Sequence, residues 1–372
     1  MKSTIKRKSS ALNPTAPGLR ELWQACERGD EEQVRLRLTQ GYDINRKSSA
    51  MQSRTAVHIA AAHGHTEICR LLVAAGANVR LSDERSDSAM HLAVQSGSLE
   101  CCEYLTGLNR VPVSDNSQAK TPMVLAIDAD RGDICKALNK GFYDYRFDVV
   151  RGDVADSLLT YAMKKEKWSA FEALMDMGAS IETRTQNGDT PLQVAIDFQL
   201  PLAMEMLLDR GADPSVLTRW GMTPHFNTVR VDRLDMLETL VKHRPSLSLM
   251  ELRTLDGRTL LHHAAHLGAK NVVRYLLDYG FDVNEMTKSK ERGNDEGTCL
   301  HSAVSGGQAD VCALLLERGA DPEIRSLAGR TAFELAQHVG ASEVAMVLRS
   351  HQARVHLDDA LYRAVAAPKP EM

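Results

Sequence analysis

Cys69, Cys102 and Cys135 recur at intervals of 33 residues, and Cys312 occupies the same point of its own helical pattern. Thiols bind zinc, form disulfides or act as nucleophiles, and each of these needs a partner within a few ångströms. Equivalent positions on stacked helices stand about one helix diameter apart, ~10 Å. That is too far for a shared zinc ion or a disulfide. No C-x-x-C pair occurs. The cysteines therefore read as small apolar packing residues, and reduced thiols point to the cytoplasm or the nucleus. A second candidate is His262, His263 and His266, where a spacing of four sets the outer two on one helix face, as in many metal sites. No carboxylate or thiol accompanies His263 and His266, so neither a metal nor a cofactor is expected. The sequence contains no H-E-x-x-H, no phosphate-cradling G-x-x-x-x-G-K-[ST], no G-x-G-x-x-G after a strand and no G-x-S-x-G. The chain reads as a non-enzyme.

The elements that position these residues repeat. Thr55, Ser88, Thr121, Ser157, Thr190, Thr223, Thr259, Thr298 and Thr331 each open a helical pattern, at intervals of 33, 33, 36, 33, 33, 36, 39 and 33 residues. A hydroxyl at the N-cap accepts from an unpaired backbone N–H. The proline that follows Thr121, Thr190 and Thr223 loses nothing at the first helical position. About nine residues on, Gly64, Gly97, Gly268, Gly307 and Gly340 reverse the chain through a left-handed conformation. A second helix follows with paired leucines such as Leu71-Leu72, Leu207-Leu208, Leu276-Leu277 and Leu314-Leu315. Gly76-Ala77-Asn78, Gly178-Ala179-Ser180, Gly211-Ala212-Asp213 and Gly319-Ala320-Asp321 end it and lead into an exposed turn. Such a period predicts stacked helix-turn-helix units, which grow by neighbour contacts rather than around one thick core.

With His58, His91, His262 and His301 standing at the histidine of a Thr-Pro-Leu-His motif, the chain resembles the ankyrin repeat family. The resemblance covers residues 19–350 and implies an all-α ankyrin repeat solenoid of about ten repeats, the first degenerate (Gly29, Val34, Leu38, Gly41). It also implies that His262 bonds backbone between repeats. Asp130, Glu166, Gln199 and Asp232 replace the inter-helix glycine, and Glu166 and Gln199 suit that backbone least. The stretch 276–284 further resembles sites that ankyrin proteins offer to asparaginyl hydroxylases, which would make Asn284 an acceptor.

Hydrophobic residues make up 43% of the 372, enough to fold, and the formal net charge of −4 gives no overall electrostatic case for nucleic acid binding. No apolar run approaches the ~18 residues of a membrane span. Residues 1–18 carry Lys2, Lys6, Arg7 and Lys8 without an acid and read as a disordered basic tail. Residues 351–372 read as a capping helix and tail, with Leu357, Leu361 and Val365 on one face. The charged insertion at 288–295 is a longer loop.

In ankyrin-like proteins partners usually bind the concave face, made of turn tips and the ends of the first helices. There the early units carry a mixed polar set, whereas the sixth to eighth carry Asp197, Phe198, Arg219, Trp220, Met222, Arg230, Val231, Leu255, Arg258, His266 and Leu267. Tryptophan and arginine dominate binding hot spots, and Trp220 is the strongest single candidate. Lys164, Lys165 and Lys167 beside Trp168 form a weaker one. The expected function is that of a monomeric scaffold or adaptor binding another protein. The alternatives are a substrate-recruiting adaptor of a larger assembly such as a ubiquitin ligase, and a membrane-skeleton linker.

Overall fold

The computed structural model describes residues 17–108, 114–140, 157–218, 221–244, 247–288 and 297–366. They form twenty α-helices and a single 3-10 turn at Leu249–Glu251. The chain divides into two compact units, Met1–Ser180 and Ile181–Met372. The first holds α1 (Pro17–Arg28), α2 (Glu31–Leu38), α3 (Ala56–Ala62), α4 (Thr66–Ala74), α5 (Ala89–Ser96), α6 (Leu99–Gly107), α7 (Pro122–Asp128), α8 (Gly132–Asn139), α9 (Leu158–Lys164) and α10 (Trp168–Asp176). The second holds α11 (Pro191–Asp197), α12 (Pro201–Asp209), α13 (Pro224–Arg230), α14 (Leu234–His243), α15 (Leu260–Leu267), α16 (Lys270–Tyr279), α17 (Cys299–Ser305), α18 (Ala309–Glu317), α19 (Ala332–Val339) and α20 (Ser342–Ala366). Each odd-numbered helix packs on the even-numbered one that follows. Within each unit, odd helices also stack on odd and even on even.

Local chemistry accounts for the start of each first helix. Ser88, Thr121, Ser157, Thr190, Thr259 and Thr331 accept from the backbone N–H three residues on. Thr223 makes no such bond, because Phe226 N–H turns to the Thr223 carbonyl at 3.0 Å instead. The motif histidines fasten one repeat to the next. In His58, His91, His262 and His301, Nδ1 lies 2.7, 2.8, 2.8 and 3.0 Å from the capping hydroxyl. Nε2 lies 3.0, 3.1, 3.0 and 3.0 Å from the carbonyls of Leu81, Lys120, Gly297 and Arg330 ahead of the following repeat. Gln193 does the same with its amide, accepting from Thr190 N–H at 2.9 Å and donating to the Val216 carbonyl at 2.9 Å.

The turns between paired helices hold the same left-handed backbone whether or not glycine is present. Asp130, Glu166, Gln199 and Asp232 have φ between 52° and 55°, and the substitutions leave the geometry intact. Asp130 repays its strain, since its Oδ1 accepts from Ala170 N–H at 3.0 Å and so caps α10 of the next repeat. Elsewhere glycine is needed for close approach rather than for φ. A Cβ on Gly306 would lie 2.0 Å from the His266 carbonyl oxygen.

One boundary differs from expectation. The second helix of the last repeat runs on without a break as α20, so residues 351–366 continue it rather than folding back as a separate cap. Neither glycine nor proline interrupts 350–366. Val344 and Leu348 are buried, whereas Val355 and Leu357 are exposed. The side chains of Leu361 and Val365, residues 1–16 of the N-terminal tail and residues 289–296 of the insertion lie outside the described residues. The start expected at Leu19 moves to Pro17, which opens α1.

Candidate protein-binding face

In the second unit the turn tip ahead of each first helix, and that helix's last turn, carry most of the residues singled out from sequence. Phe198 caps α11 at its C-terminus and is 55% exposed; Leu255, in the tip before α15, is 82% exposed. The Leu255 side chain lies against Gly221, where a Cβ would meet its Cγ at 2.5 Å. Arg230 pairs with Asp197 at 2.5 Å, and Arg258 with Asp256 at 3.1 Å. Two residues prove tied to the scaffold. Met222 is half-buried against the core around Phe226. His266 is partly buried, with Nδ1 3.3 Å from the Ser302 carbonyl. Arg219 and Trp220 lie outside the described residues.

Sequence reasoning named Leu267 but missed Leu327 and Val339 as exposed apolar groups of this set. Register arithmetic finds them. Leu327 stands four residues before Thr331 as Leu255 stands before Thr259. Leu267 and Val339 stand eight after their N-caps, as Phe198 does. The distribution is lopsided: in Met1–Ser180, Leu36 is the sole exposed large hydrophobic side chain among the described residues, and the other exposed ones fall in Ile181–Met372.

The cysteines are buried, as packing residues would be, and burial pushes the thiols of Cys26, Cys102, Cys135 and Cys312 up to about 12. The 33-residue spacing conceals one close pair. Cys69 has its close sulfur neighbour in Cys101, at 3.9 Å, one residue before the equivalent Cys102. Among the described residues no three His, Cys, Asp or Glu side chains converge to hold a metal ion.

Comparison with known proteins decides the family. A model described as "Ankyrin repeats (3 copies)" matches residues 22–115 and 202–287, and one described as "Ankyrin repeats (many copies)" matches 261–316, together more than half of the chain. The chain belongs to the ankyrin repeat family. Its curated relatives include SH3 and multiple ankyrin repeat domains protein 2 of Homo sapiens, 26% identical over 59% of this chain and 11% of the relative. They also include the nuclear factor NF-kappa-B p105 subunit of Gallus gallus, 28% identical over 51% of this chain and 19% of the relative. Diacylglycerol kinase zeta of Rattus norvegicus is 36% identical over 32% of this chain and 12% of the relative. The chain thus spans less than a fifth of the length of each.

Ankyrin repeats are protein-interaction modules and generally non-catalytic, which sets the coarse function. No helix among the described residues is long and apolar enough to cross a membrane. Two further features of the ankyrin stack have structural roles. Trp168 packs edge-on against Phe171 at 6.2 Å, beside the lysines at 164, 165 and 167. Asn284 bridges to the next repeat, donating from Nδ2 to the Gly319 carbonyl at 3.2 Å and accepting from Asp321 N–H at 2.9 Å, as Asn45 does with Asn78 N–H at 2.6 Å.

Proposed function

We propose that this chain is a non-enzymatic scaffold or adaptor that binds a partner protein through the concave face of its sixth to eighth ankyrin repeats. In this reading it acts as a monomer in the cytoplasm or nucleus, without cofactor or nucleic acid. The observation that supports it is the run of exposed apolar side chains Phe198, Leu255 and Leu267 at equivalent tips and helix ends, continued by Leu327 and Val339. Contiguous apolar exposure on a soluble protein marks an interaction surface. A preformed face loses little conformational freedom on association. The test is partner capture from a cell extract with wild type, a Phe198→Ser, Leu255→Ser double variant, and Leu36→Ser as an exposed control. Partners absent from the double variant alone, with its thermal midpoint unchanged, are the expected result. Equal capture by all three chains would sink the reading.

A further inference from the structure

The second helices of the repeats share one outward position, and register along them reveals an exception. Five residues after the N-cap of the second helix stand Arg35, Arg70, Glu103, Lys136, Glu172, Glu205, Glu238 and Arg274, all charged and all exposed. In α18 and α20 the same position holds Ala313 and Met346, and Met346 is 63% exposed. Because the position faces outward in the other repeats too, the exposure of Met346 owes nothing to its place in the last described repeat. In the first unit these charges tie neighbouring second helices together. Glu103 of α6 pairs with Lys140 at the end of α8 at 3.2 Å, and Lys136 of α8 pairs with Asp176 at the end of α10 at 2.7 Å. The equivalent residues between α18 and α20 are Ala313 and Ser350, which form no ion pair.

A groove of about 490 Å³ lies between the two helices at that place. Its lining is apolar at the centre, with Leu316 buried, Ala313 and Val347 half-buried and Met346 exposed. Glu317 and Glu343 line it as well, one from each helix, and neither makes an ion pair or side-chain hydrogen bond among the described residues. Glu317 is level with Ser350, its equivalent 33 residues on, which places it seven residues beyond Glu343 along the helix direction. At 1.5 Å per residue the two levels stand ~10 Å apart, with Ala313 and Met346 midway. The basic lining residues His351 and Arg354 stand beyond the level of Glu317.

We infer that the groove between α18 and α20 is a second docking surface, which takes an amphipathic α-helix of a partner protein. That helix carries two lysines or arginines seven residues apart, with apolar residues at the third and fourth positions after the first of them. Positions i, i+3, i+4 and i+7 share one helix face, and the rise between the outer two matches the separation of the glutamates. The cations meet Glu343 and Glu317 while the apolar pair rests on Ala313 and Met346, whose flexible thioether side chain adapts to what it packs against. The surface is built from second helices rather than from turn tips and first-helix ends. It therefore goes beyond the concave-face reading and does not depend on it.

The probe is N-acetyl-Ala-Ala-Gln-Ala-Lys-Ala-Ala-Leu-Leu-Ala-Ala-Lys-Ala-Gln-Ala-Ala-amide, titrated into the full chain with 13C-methyl methionine and compared with a counterpart in which both lysines are glutamate. The expected result is a saturable shift of the Met346 methyl resonance with the Lys peptide and about ten-fold weaker binding of the Glu peptide. Met346→Arg installs the residue type of Arg35, Arg70 and Arg274, so its thermal midpoint should stay within about 3 °C of wild type while peptide binding is lost. Glu317→Gln with Glu343→Gln should remove the preference for the Lys peptide. No saturable shift, equal binding of the two peptides by wild type, or binding retained in Met346→Arg would overturn the inference. So would a wild-type chain that self-associates in sedimentation, with Met346→Arg single and neither peptide bound, because the groove would then belong to a second copy. The Phe198→Ser, Leu255→Ser variant should bind the Lys peptide as wild type does, and its failure to do so would move the site to the concave face.

Discussion

At the scale of single residues, the third position of each first helix shows how one side chain does two jobs. His58, His91, His262 and His301 accept at the N-cap and donate across to the next repeat, so the imidazole must stay neutral. Burial enforces that, lowering His58 and His262 from the ordinary 6.5 to about 4. Gln193 performs both jobs without titrating, and Glu334, in the last described repeat, accepts from Thr331 N–H at 2.9 Å but has no proton to pass on. His262→Gln should therefore hold its thermal midpoint at pH 7 to within about 3 °C. Between pH 7 and 5 it should lose less stability than wild type. Circular dichroism melts at the two pH values would decide this, and parallel losses would contradict it. The motif histidines could be read from sequence because the bond to the capping hydroxyl is local. The buried, unpartnered Nε2 of His263 could not, because its surroundings, such as the Phe226 ring at 5.5 Å, come from residues distant in the chain and are set by stacking.

At the scale of elements, the inter-helix turn separates backbone strain from side-chain use. Glu166 sits at φ 54° and is exposed, so Glu166→Gly should stabilise by about 1 kcal/mol, read as a higher urea midpoint. Asp130→Gly relieves the same strain but removes the cap on Ala170 N–H. It should gain nothing, or lose about 1 kcal/mol, and a gain equal to that of Glu166→Gly would show that the cap is energetically idle. Gly306→Ala drives a methyl into the His266 carbonyl and should destabilise by about 1–3 kcal/mol in the same assay. Helix order and turn positions were plain in the sequence because caps and glycines act within a few residues. Where α20 ends was not, since nothing local distinguishes a helix that continues from one that turns back.

At the scale of the whole molecule, His58, His225, His262 and His263 all have folded values of about 4. Above 6.5 both folded and unfolded chains leave them neutral, so stability is complete. Below 6.5 the unfolded chain takes up protons that the folded chain refuses, and stability falls as pH drops toward 4, by on the order of 1–2 kcal/mol per group at pH 5. Denaturant titrations from pH 7 to 5 should show that loss, and a flat profile would rule it out. All seven cysteines are buried. Thiol titration should then find no fast-reacting group in the native chain and seven after denaturation. The sequence by itself determined the family, the alternation of short helices, the capping chemistry and the apolar role of the cysteines, because each is written in a repeat of about 33 residues and enforced by neighbours along the chain. Only the tertiary structure decided that Met222 and His266 are tied to the scaffold, that Cys69 meets Cys101, and that His263 Nε2 is buried without a hydrogen-bond partner among the described residues. Those facts depend on which side chains of successive repeats come to face one another, and stacking sets that at distances no local pattern encodes.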